Sequence, residues 1–194
     1  MTIKLSGDYW NNRYIEQQTG WDVGEVSTPL KNYIDQLENK NLRIMIPGCG
    51  NAYEAAYLLQ KGFTNVTCID ISPVLCAELE QRLGDKGLNV VCADFFSHHG
   101  QYDLILEQTF FCALNPALRI AYATHMNELL APGGKLAGVL FNCDFENDGP
   151  PFGGSASEYQ TYFEPYFTFK HFTPCYNSIT KRAGNELFAV MMKK

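Results

Sequence analysis

Two glycines one residue apart, Gly48-Cys49-Gly50, follow the apolar run Leu42 to Pro47 and precede a helical pattern from about Ala52 to Lys61. In a strand-turn-helix setting such glycines let the main chain approach a ligand where a helix N-terminus presents free N–H groups. Tyr53 stands where the dinucleotide fingerprint has its third glycine, which weakens a nicotinamide reading. Asp70 closes the next apolar run, Asn65 to Asp70, a position from which a carboxylate accepts hydrogen bonds from both hydroxyls of a ribose. Asp94 and Phe95 follow the third run, Asn89 to Ala93, and offer a carboxylate and an aromatic wall suited to the amino group and ring face of adenine. Each feature has a plainer reading: a tight turn, a solvated strand-end carboxylate, a loop aspartate beside a core phenylalanine. Their joint spacing favours a bound adenosine.

A second polar group, Glu107-Gln108-Thr109, ends the fourth run, Tyr102 to Glu107. Glu107 is either an active-site carboxylate or a cap for the following turn. Both tryptophans, Trp10 and Trp21, precede the first βαβ unit; aromatic residues outside the core need a second surface to cover, or serve as hydrophobic anchors for the N-terminal arm. His125 shares an apolar helical face with Leu118, Ala121, Tyr122, Met126 and Leu129 and reads as a core histidine. The adjacent His98 and His99 are poorly spaced for shared ligation, and no metal site is expected. The seven cysteines include no CxxC pair and read as reduced thiols, with Cys112 packing rather than reacting.

Positioning these residues falls to apolar runs that alternate with helical patterns from about residue 30 onward, the signature of βαβ units and a mostly parallel sheet. Ser72 and Pro73 open a helix in which Leu75, Cys76, Leu79 and Leu83 recur at helical spacing. An amphipathic helix from Pro116 to Leu130 is expected to break at Pro132-Gly133-Gly134, and Lys135 to Phe141 reads as a fifth, buried strand. Beyond a polar stretch from Asn142 to Ser157, two late strands, near Phe167 to Tyr176 and Glu186 to Met192, are joined by a hairpin-like connection at Lys181 to Asn185. They imply an antiparallel edge on the parallel sheet. The expected fold class is therefore α/β, Rossmann-like and doubly wound, with a seven-stranded, mostly parallel sheet and an antiparallel C-terminal strand.

At 194 residues, 46% of them hydrophobic, the chain suits one domain spanning residues 1–194. A formal net charge of -6 opposes attraction to phosphate backbones or anionic membranes, so a small-molecule substrate is expected and a nucleic-acid or membrane partner is not. The stretch Met1 to Trp10 has no apolar core like that of a signal peptide, and the longest apolar run, Leu136 to Phe141, is too short to span a bilayer. A cytoplasmic monomer is the expectation.

Several segments together resemble the thiopurine and thiol/halide methyltransferase family of the class I S-adenosylmethionine-dependent fold. They are Tyr9-Trp10-Asn11-Asn12-Arg13-Tyr14 with Gly20-Trp21-Asp22, Ile46-Pro47-Gly48-Cys49-Gly50, and Cys68-Ile69-Asp70-Ile71-Ser72. Tyr102-Asp103-Leu104-Ile105 running into Phe110-Phe111-Cys112-Ala113-Leu114, Leu129-Leu130 to Gly134, and Gly149-Pro150-Pro151-Phe152 complete the match. The resemblance implies that Gly48 and Gly50 cradle the methionine portion of S-adenosylmethionine. It also implies that Asp70 and Ile71 hold the ribose end, that Asp94 and Phe95 flank the adenine, and that residues 1–30, with Trp10 and Trp21, fold over cofactor and substrate. Glu107 and Gln108 then stand beside the reacting methyl group as the few polar contacts of an apolar substrate wall expected from Trp10, Trp21, Phe110, Phe111 and Phe152. Glu107-Gln108 departs from the Asp-Arg of mammalian thiopurine enzymes, and the Phe-Phe-Cys-Ala stretch is nearer to the plant thiol and halide enzymes.

The implied reaction is in-line methyl transfer to a small soft nucleophile, most simply the sulfur of a thiol. Halide or thiocyanate as acceptor, and a cofactor-binding regulatory protein without turnover, are the alternatives. An amino-group nucleic-acid methyltransferase should show an Asn/Asp-Pro-Pro-Tyr/Phe tetrapeptide after the fourth strand, where this chain has Glu107-Gln108-Thr109-Phe110.

Overall fold

The structure, a computed structural model, describes residues 5–146 and 148–194. Among them, helices α1 (Gly7–Ile15) and α2 (Thr28–Ile34) precede strand β1 (Arg43–Pro47). There follow α3 (Tyr53–Gln60), β2 (Asn65–Asp70), α4 (Pro73–Leu83), β3 (Leu88–Cys92) and β4 (Tyr102–Gln108). The chain ends with α5 (Arg119–Leu129), β5 (Leu130–Phe141), α6 (Ala156–Phe163), β6 (Phe167–Pro174) and β7 (Glu186–Lys193). The helix starts follow from their caps: Ser6 accepts a hydrogen bond from the Tyr9 N–H, and Ser72 accepts one from Leu75 with Pro73 in the first turn.

The strands form one seven-stranded sheet in the order β3-β2-β1-β4-β5-β7-β6. The first five strands are parallel, with Ile46 opposite Cys68 and Ile69 opposite Val91. β7 runs antiparallel to both its neighbours. Alternation along the strands feeds two cores. Ile44, Ile46, Leu104 and Leu106 pack with Leu30, Ile34, Leu58 and Leu79 of α2, α3 and α4. Met45, Ile105 and Leu136 face Tyr122, Met126 and Phe163 of α5 and α6.

Three expectations need correction. Residues 132–134 do not separate helix from strand: β5 begins at Leu130 and carries them within an irregularity, where the register passes from Tyr102 opposite Leu130 to Leu104 opposite Lys135. Gly133 supplies the left-handed residue (φ 74°) that this kink needs. The antiparallel strand is not the edge, because β7 inserts between β5 and β6. Pro116–Leu118 is a separate 3-10 turn ahead of α5. His125 is buried as expected, its Nε2 2.9 Å from the Phe95 carbonyl oxygen, and all seven cysteines are unpaired. Among the described residues no helix is long and apolar enough to cross a membrane.

Gly138 of β5 lies opposite Glu107 of β4, and a methyl group there would overlap the Glu107 Cβ and carbonyl oxygen. Gly138→Ala is expected to destabilise the fold by about 2–3 kcal/mol through overpacking, measured as a lowered denaturation midpoint at unchanged slope; an unchanged midpoint would contradict this close packing.

Candidate active site at the carboxyl ends of the parallel strands

The strand order reverses between β1 and β4, and the loops leaving β1, β2, β3 and β4 meet at that point, where open α/β sheets bind ligands. Gly48 and Gly50 take left-handed φ values of 52° and 51°. Ala52 does so at 54° as the N-cap of α3. A Cβ at Gly48 would overlap the Phe110 ring, so glycine is required there both for conformation and for the ring's approach.

Asp70 ties two loops together. Its Oδ2 accepts from the Gly50 N–H at 3.4 Å and its Oδ1 from the Ser72 N–H at 3.0 Å. Burial raises the Asp70 pKa, opposed by these N–H donors and that of Ile71. α1 runs across the same loops. Gly7 faces the Ile71 side chain, the Tyr14 hydroxyl faces Gly50, and Asn11 Oδ1 accepts from Ser72 Oγ (2.9 Å) and the Val74 N–H (3.1 Å). Trp21 meets Trp10 and Tyr14 edge-to-face at 5.6 and 6.0 Å. Asp22 anchors this segment to α3, accepting from Asn51 and from the Tyr53 hydroxyl at 3.1 Å.

The end of β4 separates two residues that the sequence grouped together. Successive strand residues leave opposite faces of the sheet. Glu107 therefore points into the α5 side, 1% exposed, with Oε1 accepting from the Phe110 and Phe111 N–H groups at 2.8 and 3.0 Å and Oε2 accepting from the Tyr122 hydroxyl. Glu107 thus caps the turn after β4 and faces α5. Gln108 leaves the other face, where its Oε1 accepts from Ser27 Oγ at 2.6 Å.

Two further expected wall residues are also buried rather than open to the cleft. Phe111 is 1% exposed beneath Arg119, Tyr122 and Tyr159, and Phe95 is 5% exposed against Phe110, Tyr122 and His125. Phe95 supports the half-buried Phe110. Asp94 is exposed and caps its own turn, its carboxylate accepting from the Phe96 N–H at 2.8 Å. Phe152 is half-buried, its N–H donating to the Cys112 carbonyl at 2.7 Å, which brings its loop to the Phe110 turn.

Beside Thr109 of the polar group after β4, three residues that sequence reasoning passed over, Arg119, Arg182 and Ser27, shape the site. Thr109 adopts φ 61°, a conformation rare for a β-branched residue, and turns the chain between Gln108 and Phe110. Arg119 is buried over the Phe111 and Tyr159 rings, paired with Glu158 at 2.6 Å and donating to the Gly153 carbonyl at 2.7 Å. Arg182, between β6 and β7, donates to the Trp21 carbonyl at 3.0 Å. Ser27 precedes α2 and is 3% exposed. None of Arg119, Arg182 and Ser27 stands in a motif; Arg119 alone carried a signal, as a charge within an otherwise amphipathic helix.

The group fits an adenosine-bearing sulfonium ligand by the chemistry of its donors. A turn with glycine at both Gly48 and Gly50 adjoins a buried carboxylate, and electron-rich indole faces attract a cation. Among the described residues no cluster of His, Cys, Asp or Glu could hold a metal ion.

Comparison with known proteins agrees with this geometry. A family model described as thiopurine S-methyltransferase matches residues 5–192. A probable thiol methyltransferase 2 of Arabidopsis thaliana is 30% identical over 162 residues, covering 80% of this chain and 71% of that protein. Thiocyanate methyltransferase 1 of Brassica oleracea is 27% identical, covering 84% and 74%. Among solved structures, the 1,6-didemethyltoxoflavin-N1-methyltransferase of Burkholderia thailandensis, bound to 1,6-didemethyltoxoflavin and S-adenosylhomocysteine, superposes with a TM-score of 0.78 over 97% of this chain and 87% of that one, at 18% identity.

Desolvation pushes the Glu107 pKa up to about 7, against the lowering effect of the Tyr122, Phe111 and Phe110 donors. A carboxyl group whose folded pKa exceeds its unfolded value, about 4.3, contributes stability that is full below the unfolded value and is lost as pH rises through the folded one. Denaturation at pH 5 and pH 8 should therefore show a larger loss for the wild type than for Glu107→Gln, which cannot ionise; parallel losses would contradict the buried, ionisable cap.

Proposed function

Because the chain belongs to the thiopurine S-methyltransferase family of S-adenosylmethionine-dependent enzymes, we propose that it methylates the sulfur of a small thiol. Thiocyanate and halide ions are further acceptors of the same soft class. The observation that carries this reading is the Gly48/Gly50 turn held against the buried Asp70 carboxylate, under the aromatic cluster of Trp10, Tyr14 and Trp21.

When bound, S-adenosylmethionine supplies the electrophilic methyl carbon. Asp70 keeps lone pairs for the ribose hydroxyls while its N–H donors hold it in place. The Gly48 and Gly50 main chain lines the methionine portion, and Ile71 packs at the ribose end. Asp94 lies at the adenine end. Trp10 and Trp21 present π faces to the sulfonium and keep water out. Residues 5–30 act as the cover, tied down by Asn11, by Asp22 and by Arg182 at the Trp21 carbonyl, and residues 1–4 of the expected segment lie outside the described residues. Phe110 and Phe152 form the apolar acceptor wall, and Gln108 supplies its polar contact.

Alignment is the main contribution these residues make, worth roughly 7–11 kcal/mol of barrier when geometry is right. A thiol with an ordinary pKa of about 8.5 is already partly ionised at neutral pH, and thiocyanate carries its charge permanently, so no general base is needed. The buried Glu107 is consistent with that requirement, since it faces away from the cleft. The net charge of -6 favours a small acceptor over a nucleic acid, and the unpaired thiols favour a reducing, cytoplasmic compartment. One domain whose sheet is covered by helices on both faces supports a monomer.

The test is release of S-adenosylhomocysteine with a small aliphatic thiol, an aromatic thiol, thiocyanate and iodide, alongside cofactor affinity by calorimetry. Turnover is expected with a thiol or a soft anion. Asp70→Ala should weaken cofactor binding at least about 100-fold, the loss of two hydrogen bonds to a charged group. Tight binding without turnover on any acceptor would favour a regulatory role, and Asp70→Ala binding within threefold of wild type would remove the ribose assignment.

A further inference from the structure

Serine is among the preferred N-cap residues because its oxygen accepts a hydrogen bond from the first helical turn, a contact worth about 1 kcal/mol. Ser27 occupies the N-cap position of α2 with extended backbone (φ -65°, ψ 140°), yet its side chain makes no capping bond. Its hydroxyl reaches instead to Gln108 Oε1 at 2.6 Å. This distance suits O–H···O, near 2.7 Å, better than N–H···O, near 2.9 Å, so the amide oxygen, not the amide nitrogen, faces the hydroxyl.

Ser27 is itself fixed from below. Its N–H donates to Glu54 Oε1 at 3.3 Å, its carbonyl accepts from the Lys31 N–H at 2.8 Å, and both Ser27 and Glu54 are buried, at 3% and 5% exposure. The main chain of Gln108 is held by pairing with Val139 and by the left-handed Thr109 that follows. The amide oxygen is thus engaged on the α2 side, while among the described residues the amide nitrogen has no hydrogen-bond partner.

We propose that Ser27 is a positioning residue: it locks the Gln108 amide so that the N–H2 group faces the acceptor, selecting nucleophiles that arrive as hydrogen-bond acceptors, such as thiolate or thiocyanate. The inference rests on the reading above that Gln108 lies on the acceptor side. An amide free to rotate would present oxygen half the time, and oxygen repels an incoming anion. Ser27 removes that option without touching either substrate.

Steady-state methyl transfer to thiocyanate, an acceptor whose charge does not change with pH, tests the proposal in wild type, Ser27→Ala, Ser27→Thr, Gln108→Leu and the Ser27→Ala/Gln108→Leu double variant. Ser27→Ala should raise the thiocyanate KM about five- to tenfold, with cofactor affinity within twofold of wild type. Ser27→Thr, which keeps the hydroxyl, should restore most of the loss. In the Gln108→Leu background Ser27→Ala should have no further effect on KM, because there is no amide to orient.

A merely structural serine would move cofactor affinity together with KM, or would cost the same with or without Gln108. Either result overturns the proposal, as does an unchanged KM in Ser27→Ala. Were Ser27→Ala too unstable to purify, Ser27→Cys, nearly equal in size and a weaker donor, should show the same KM increase and the same dependence on Gln108. A wild-type enzyme that turns over normally while the Ser27 variants are silent would sink this inference alone; absence of turnover with every soft acceptor would sink the functional reading and this inference with it.

Discussion

Along β4 successive side chains leave opposite faces of the sheet, and the strand ends level with β1 at the point where the strand order reverses. Everything at the cleft depends on that alternation. Leu104, Leu106 and Gln108 face α2 and α3, while Ile105 and Glu107 face α5. One of the two terminal polar residues therefore serves the fold and the other serves the cleft. Glu107 gathers the Phe110 and Phe111 N–H groups and so sets the turn that lays Phe110 over Gly48. Gln108 is set from the opposite layer by Ser27. This end of the cleft is thus built jointly by the two helical layers, with the left-handed Thr109 as the junction between them.

Electrostatics follow from the same burial. Burial raises the pKa values of Asp70, Glu54 and Glu107, because each carboxylate is held away from water. Asp70 and Glu54 lie close to the segment that carries Asp22. A site of this kind favours a ligand with positive charge, and a sulfonium with an ammonium group supplies it. Two cations of the chain lie nearby, Arg182, engaged with the Trp21 carbonyl and Glu186, and Arg82, which donates to the Asn51 carbonyl. Through Arg182 the N-terminal segment and the β6–β7 connection are joined by a hydrogen bond.

Features that depend on local chemistry could be read from the sequence. The glycine turn, the Asp70 strand end, the helix opened by Ser72-Pro73 and the placement of the first five strands along the chain all follow from spacing and turn residues. Features that depend on long-range pairing could not. Pro132-Gly133-Gly134 looks like a break until the register shift against β4 gives it a place within β5. The late hairpin implies antiparallel pairing but not the insertion of β7 beside β5. Glu107, Phe95 and Phe111 were assigned to the cleft from their neighbours in the motif, whereas the pleat and the packing against α5 decide which way they face. The period of two, continued through the last residue of β4, separates Glu107 from Gln108. Ser27 lies far from Gln108 in the chain, and only the fold brings them together.

A crystal structure of the protein with S-adenosylhomocysteine is the most direct measurement of the central claim, that the β1 turn and Asp70 hold the cofactor beneath the tryptophan cover. The ribose hydroxyls should lie within hydrogen-bonding distance of the Asp70 carboxylate, and the sulfur should sit between the Gly48 turn and the Gln108 side chain, with Trp10 and Trp21 closing over it. An adenosine bound elsewhere, or one that leaves Asp70 without contact, would contradict the account.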